Sequence, residues 1–475
     1  MAARSQWLRS DEVRRVAPAW LAFLALGLGL FAYPFWLRVH GIAQDFFMMK
    51  DQVDAWNLVQ VPFTGLPVTG GARTDGGYHP GAAFYWYLWL ARVLVGRWFD
   101  NLPHTAGLAV SLLDAASFAA LGSALWRTGV PLVAVLAVGL IAATVPYEAA
   151  LARAAWNPNF ALAMSNFALA GVLVWHRRPG MLRQAVVVAC AWMAVQAHLS
   201  ALPVAAGICT AMLLEGWLAK PRRTLRTASV IALVVIGLQL PRLLGGPVAG
   251  GAGNTVTDTA LTRSFAALPS HPGVIIARGG FGFAAGEGTR LLLSVTPLEG
   301  FAVVVFFLAA IAGLGLVIVR SKTEARAALL PLVAIAYAGL AYNLLPEPPK
   351  TYYLIPGLGV LLALFALAVG ALDGVSPRAG AVVAWGLLAL ALYVQPARAL
   401  YFRFDHRYEH YAAVVRGARE IARARVVIAR AEGPDDHTLP TETTPLVIWL
   451  GGRVSPDAQT IARIGADGTV SYEAR

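Results

Sequence analysis

The sequence predicts an all-α polytopic membrane protein of about eleven transmembrane helices. Three observations predict it. Apolar residues make up 58% of the 475 and charged residues only 13%, about half the charge of a soluble domain. Apolar stretches of about 20 residues, the length that crosses a bilayer, recur along most of the chain. The 38 Lys and Arg, in a chain of net charge +12, gather in alternate links between those stretches. Length by itself would suggest about three soluble domains, and the apolar stretches exclude them. In a soluble protein the positive balance would point to nucleic acid. Here it points to anchoring on the cytoplasmic side, with no nucleic-acid partner. The two cysteines, Cys190 and Cys209, both lie in apolar stretches, so neither a disulfide framework nor a zinc site is supported.

Arg4, Arg9, Arg14 and Arg15 precede an apolar run over residues 17–37. That run is too long for a signal peptide and lacks a small-residue cleavage site. It is read as an uncleaved first span with a cytoplasmic start. Residues 39–103 form a first external loop. Its polar part, up to Pro80, carries Asp45, Asp51, Asp54 and Asp75 and the pairs Gly70-Gly71 and Gly76-Gly77. Residues 81–95 are aromatic and amphipathic but short for a crossing, and they read as a helix lying on the outer membrane surface.

Further spans follow at 104–126, 130–146, 158–175, 184–200, 202–218, 227–245, 298–319, 327–344, 352–372 and 380–396. The links this topology makes cytoplasmic carry Arg127; Arg177, Arg178 and Arg183; Lys220, Arg222, Arg223 and Arg226; Arg320, Lys322 and Arg326; and Arg378. The short external links carry only Arg153 and Lys350. A crossing at 81–97 would invert this asymmetry, so the charges favour a cytoplasmic N-terminus and an external C-terminus. The transmembrane domain is thus 1–396, with a second large external loop at 246–297. Loops of that length are usually functional or disordered. The external C-terminal region, 397–475, is the only soluble-looking stretch. A helix is expected at 406–425, with strands at 426–428 and 446–450. The region is too small for an independent core, so it is expected to pack on the membrane domain.

Polar groups beside a membrane are costly and mark function. In MMKDQVDAW, Asp51 and Asp54 stand three apart and share one face if that stretch is helical. Such carboxylates serve as a general base or hold a divalent cation; a solvated loop face is the plainer alternative. In GGYHPG, Pro80 suits a helix start and His79 can donate to a phosphate or sugar. In RAAWNPNF, Trp156 can stack on a sugar and Asn157 offers donor and acceptor. In QAHLS, Gln196 and His198 lie at the outer end of a span. For each, a capping or inter-helix hydrogen bond is the alternative role. EPPKTYY supplies Lys350, one of four lysines in the chain, together with Tyr352. A lysine on the side where positive charge is scarce is a candidate phosphate ligand, or it snorkels. All these constellations fall on one membrane face under a topology drawn from basic residues alone.

A long outer loop with an early acid (DQVDAW), then the surface segment GGYHPGAAFYWYL, then WNPN and QAHLS, resembles the membrane glycosyltransferases of the GT-C superfamily. The resemblance is to the bacterial branch related to protein O-mannosyltransferases and aminoarabinose transferases, and it spans roughly residues 17–360. The family's acidic pair is split here into Asp51 and Asp54, and its Lys-Pro-Pro is His79-Pro80-Gly81.

The resemblance implies a GT-C-like fold in the bacterial cytoplasmic membrane. It implies transfer of a sugar from a polyprenyl-phosphate donor to an envelope acceptor, which could be lipid, glycan or protein. The transfer would be inverting, with Asp51 as base and Asp54 and His79 on the acceptor side. Trp156 and Asn157 would hold the sugar, with His198 at the rim; Arg290 and Lys350 would bind the phosphate, and Tyr352 would be a further substrate-binding residue. A divalent cation, Mg or Mn, on Asp51 and Asp54 fits the same implication. Two rival readings are a secondary transporter, which asks for charges at mid-span and repeated halves, and a lipid-carrier or scaffold protein, which has no need of the acidic outer loop.

Overall fold

The structure is a computed structural model. It describes residues 10–46, 50–71, 79–98, 101–143, 145–177, 180–219, 221–245, 355–393, 410–434 and 443–475. The first half is a helical bundle. Helix α1 spans Ser10–Val39, and two short helices, α2 (Ile42–Asp45) and α3 (Lys50–Leu58), follow it. Then come α4 (Ala83–Val95), α5 (His104–Arg127), α6 (Leu132–Ala143), α7 (Pro146–Arg153), α8 (Asn157–Arg177), α9 (Met181–Ala197), α10 (Leu202–Ala219) and α11 (Pro221–Leu243). After the described residues resume, α12 covers Leu358–Val375 and α13 covers Pro377–Tyr393. The expected spans at 298–319 and 327–344 and the loop at 246–297 lie outside the described residues.

Among the described residues, four helical segments are each long and apolar enough to cross a membrane: His104–Arg127, Leu199–Trp217, Pro221–Leu243 and Ile355–Val375. In lipid a run of that kind has only the helix open to it, because every backbone amide must be paired internally. Helix α6 is shorter than the expected span over 130–146. Its 12 residues rise about 18 Å, well under a hydrocarbon core of about 30 Å. The 13 residues of α4 rise about 20 Å. Ala83, Phe84, Tyr85, Leu88 and Ala91 bury one of its faces, while Leu90, Val93 and Leu94 are exposed.

Helix α5 is the centre of the bundle, packed on α1, α6, α7 and α8, while α8 in turn packs on α9. Close approach depends on small residues. Leu30 of α1 projects into the space above Gly122 of α5 and Gly139 of α6, where an added methyl would lie 2.5 and 2.1 Å from its terminal carbons. One continuous apolar core joins α1, α4 to α6, α8 to α10, α12 and α13.

The C-terminal region holds α14 (Tyr411–Ala424), β1 (Val427–Ile428), β2 (Arg430–Glu432), α15 (Thr443–Trp449), β3 (Arg453–Val454), β4 (Thr460–Ile464) and β5 (Val470–Ala474). Strands β1 and β3 pair in parallel, as do β2 and β4, and β5 closes the second sheet antiparallel to β4. Helix α14 ends at Arg425, whose φ of 56° puts it in the left-handed region, a common helix stop. The strand expected at 446–450 is wrong, because that stretch belongs to helix α15. The run LVIWL is too short for its periodicity to tell helix from strand. Tertiary contacts decide it: Leu446 and Val447 are buried against α14, and the Thr444 hydroxyl bonds both the N–H and the C=O of Ala431. Strands β2 to β5 escaped the sequence reading for the same reason. This region does not stand apart. Tyr411, Val414 and Ile421 share a core with Ile42, Phe46, Val53 and Leu102 of the segment between α1 and α5.

Candidate active site

One end of the bundle collects the candidate residues. At this end lie the C-terminus of α1, the N-termini of α5 and α8, the corner between α9 and α10, and the helices α2 and α3. Asp51 and Asp54 both stand on α3, so the stretch is helical and their positions share a face. Asp54 is exposed, whereas Val53 and Trp56 are buried beneath it. Trp56 Nε1 donates to the Asn101 carbonyl at 3.1 Å, tying α3 to the start of α5.

His79 is held from both sides. The Gly70 N–H donates to its carbonyl at 3.0 Å, and its own N–H donates to Gly71 at 3.1 Å. Its Nδ1 accepts the Leu199 N–H at 3.1 Å. An accepting Nδ1 leaves the proton of a neutral ring on Nε2. The His198 ring lies 4.7 Å away, tilted by 37°, and its Nδ1 shares a hydrogen bond of 2.6 Å with the Ser200 hydroxyl. Each histidine is only 6% exposed. The sequence separates these two imidazoles by more than a hundred residues; the fold brings them into contact.

Around that pair the packing is tight. The Gln196 amide donates to the Leu238 carbonyl of α11 at 2.8 Å and lies against Gly81, where a methyl would come within 2.4 Å of its Cδ. Arg242 donates to the Pro80 carbonyl at 3.4 Å. Asn157 donates through Nδ2 to the Ala197 carbonyl at 2.9 Å. Its amide therefore joins α8 to the corner after α9. Trp156, half-buried, packs against the main core just before it. Arg290, Lys350 and Tyr352 lie outside the described residues.

Below this surface sits a charged cluster that the sequence reading missed. Arg38, Asp114, Glu148 and Asn159 are each 0% exposed. The Arg38 guanidinium donates to the Pro34 carbonyl at 3.0 Å, to the Ala143 carbonyl at 3.2 Å, and to the Glu148 carboxylate. Its Nε lies 4.0 Å from Asp114, and the Phe118 ring lies 5.6 Å from the guanidinium carbon. Asn159 Nδ2 reaches the Glu148 carbonyl and carboxylate, both at 3.0 Å, and Asp114 at 3.4 Å. One sequence signal pointed here. Arg38 is a cation in the last turn of α1, at the end of the first apolar run where the topology read from the basic links expects few positive charges, the same reason that singled out Lys350. Asp114 is an acid within the apolar helix α5, but its partners Arg38 and Asn159 lie far along the chain.

Among the described residues no group of three His, Cys, Asp or Glu side chains is placed to hold a metal ion. No protein-family model matches the sequence, and no curated protein matches it. Solved structures do. The chain is similar to ArnT from Cupriavidus metallidurans bound to undecaprenyl phosphate, with a TM-score of 0.50 and 13% identity over 94% of this chain and 93% of that one. It is also similar to the oligosaccharyltransferase of Archaeoglobus fulgidus in complex with Zn and sulfate, with a TM-score of 0.53 and 13% identity. That alignment covers 91% of this chain and 61% of the oligosaccharyltransferase. The likeness is one of fold: the chain shares its architecture with these two solved structures.

Proposed function

We propose that this chain is a membrane glycosyltransferase. It moves a sugar from a polyprenyl-phosphate carrier to an acceptor on the outer face of the bacterial cytoplasmic membrane, with inversion at the anomeric carbon. One observation carries this reading. In a fold shared over nearly the whole chain with a structure bound to undecaprenyl phosphate, α3 sets two acids on one face at the end of the bundle where His79, His198 and Trp156 also gather.

The chemistry follows from those groups. Asp51 takes the proton of the acceptor hydroxyl as its oxygen bonds to the anomeric carbon, and the bond from that carbon to the phosphate oxygen breaks. The polyprenyl phosphate leaves with the electron pair. Its growing negative charge is met by Lys350, Arg290 and the Tyr352 hydroxyl, and fixed positive groups help most where charge develops. His79, with its proton on Nε2, is a hydrogen-bond donor and not a base in this scheme. Trp156 offers a face to the sugar. Asn157, with one amide N–H committed to Ala197, keeps its oxygen and second N–H for the sugar. Asp54 lines the acceptor side.

A divalent cation suits a pair of carboxylates and phosphate oxygens, all hard ligands. Asp51 and Asp54 would hold it, and it would add positive charge beside the leaving phosphate. The topology in this proposal has eleven spans, the N-terminus inside and the C-terminal region outside.

The test uses the purified full-length chain in lipid nanodiscs with polyprenyl-phosphate sugars as donors, paired with mass spectrometry of envelope glycoconjugates from cells with and without the gene. A sugar lost from one envelope component on deletion, and restored by the wild-type gene but not by Asp51→Asn, is the expected result. The amide keeps the size of the side chain but cannot accept the proton. Normal transfer by a well-folded Asp51→Asn protein would remove Asp51 from the mechanism. Unchanged glycoconjugates together with no transfer in vitro would remove the proposed activity.

A further inference from the structure

We propose that Arg38, Glu148 and Asn159 are positioning residues for the transfer: their buried joint sets where the acid-bearing helix α3 and the Trp156–Asn157 corner stand relative to one another. This inference rests on the glycosyltransferase reading above. Nothing in the cluster reaches the surface, so none of its members meets substrate. What it does reach is backbone on both sides of the site.

Arg38 is the second-last residue of α1. The chain then turns at Gly41, whose φ is 72°, and runs through α2 into α3. The guanidinium therefore holds the point from which the first loop departs. Its planar fork spans carbonyls of α1 and α6 and the carboxylate of α7. A guanidinium offers several fixed donors in one plane, which a lysine ammonium does not.

On the far side, Asn159 stands in the first turn of α8 and closes on both the backbone and the side chain of Glu148. Asn157, two residues earlier, is bonded in the other direction to Ala197. Helix positions two apart point roughly 200° from each other. The first turn of α8 is thus gripped from opposite faces, by α1 and α7 through Arg38, and by the corner beside His198. A buried cluster of charges is generally no more stabilising than apolar packing of the same volume. What it supplies here is a defined angle between five helices.

The experiment compares Arg38→Lys with wild type as full-length protein in nanodiscs. Arg38→Lys keeps the charge and loses the fork. Two measurements are made. In the transfer assay, kcat is expected to fall at least about tenfold with the donor KM within about twofold, since a displacement near 1 Å can cost about a hundredfold in rate. By electron–electron resonance, spin labels are placed at the exposed positions 57 on α3 and 182 on α9, with Cys190 and Cys209 replaced by serine. Their distance distribution is expected to shift or broaden, with the melting temperature close to that of wild type.

An unchanged kcat per folded molecule, or an unchanged distance distribution, overturns the proposal. A distance change in a chain whose wild type transfers no sugar would leave the joint standing and defeat the glycosyltransferase reading instead. If Arg38→Lys is recovered only as aggregate, Glu148→Gln takes its place. It has the same shape without the charge, and the same outcomes decide.

Discussion

Alanine in place of Gly107 is expected to loosen the end of the bundle that gathers the candidate residues. Gly107 lies in the first turn of α5, where α7 ends against it. A methyl there would sit 2.0 Å from the Arg153 carbonyl oxygen, 3.0 Å from its carbon and 2.8 Å from Cε2 of Phe46. Carbon and oxygen in close but tolerated contact are about 3.3 Å or more apart, so α7 must withdraw by more than 1 Å. Backbone cannot swing aside as a side-chain tip can. Overpacking costs about 1–3 kcal/mol, and a backbone obstacle places this case near 3. Alanine regains about 1 kcal/mol of helix propensity over glycine. The net is a loss of about 2 kcal/mol, roughly a thirtyfold change in the folding equilibrium. The strain also lands on function. Arg153 leads directly into Trp156 and Asn157, and the Phe46 ring packs against Tyr411, tilted by 55° with 5.6 Å between centroids. Melting temperature and initial transfer rate, measured on purified Gly107→Ala, should both fall. Gly237→Ala serves as the control, because a methyl there meets nothing within 4 Å, and it should melt at or above wild type. Equal melting and equal rates for Gly107→Ala would refute the close crossing of α5 and α7 on which this reasoning depends.

Gly359→Ala should destabilise by about 1–3 kcal/mol. Its methyl would fall 1.7 Å from Asn166 Oδ1 and disturb the 3.0 Å bond from Asn166 to Ser117. The double variant with Asn166→Ala should recover part of the loss in a thermal melt, and no recovery would point to another cause. Lys350→Ala should weaken use of the polyprenyl-phosphate donor by about ten- to a hundredfold, from a charge-assisted contact of about 1.5–3 kcal/mol. Lys350→Arg should lose less, and donor-dependence curves that coincide for the two variants would assign the lysine to snorkelling. In the C-terminal sheet, the backbone N–H of Thr469 first, and its hydroxyl second, hold the Asp467 carboxyl below the usual range, at 3.0 and 2.8 Å. A depressed folded-state pKa gives stability that is present above the unfolded value of about 3.9 and lost as pH falls through the folded one. Amide protection in the β4–β5 hairpin, measured against the intrinsic exchange rate at each pH, should therefore fall on acidification in wild type and change less in Asp467→Asn.

The helical segments, and the places where they turn, were largely written in the sequence. The spans expected at 104–126 and 202–218 are the helices His104–Arg127 and Leu202–Ala219, because a long apolar run facing lipid has no other way to pair its backbone. The acid pair on one short helix, the histidine before Pro80 and the WNPN and QAHLS corners were legible for a related reason. Polar residues at the ends of apolar runs stand out locally. Tertiary structure alone decided what those residues hold. Arg38 meets Glu148 across 110 residues of chain, and His79 meets the Leu199 amide across 120. Asn157, read as a sugar ligand, spends an amide N–H on Ala197. The tail from 411 onward was the least legible. Its strands are two to five residues long, too short to carry a period of their own. Its helix α15 was read as a strand because LVIWL suits either state. Lipid imposes one conformation on any sufficiently apolar segment, so a local pattern suffices there. Within a packed protein interior, the same side chains take whatever conformation their distant neighbours leave open.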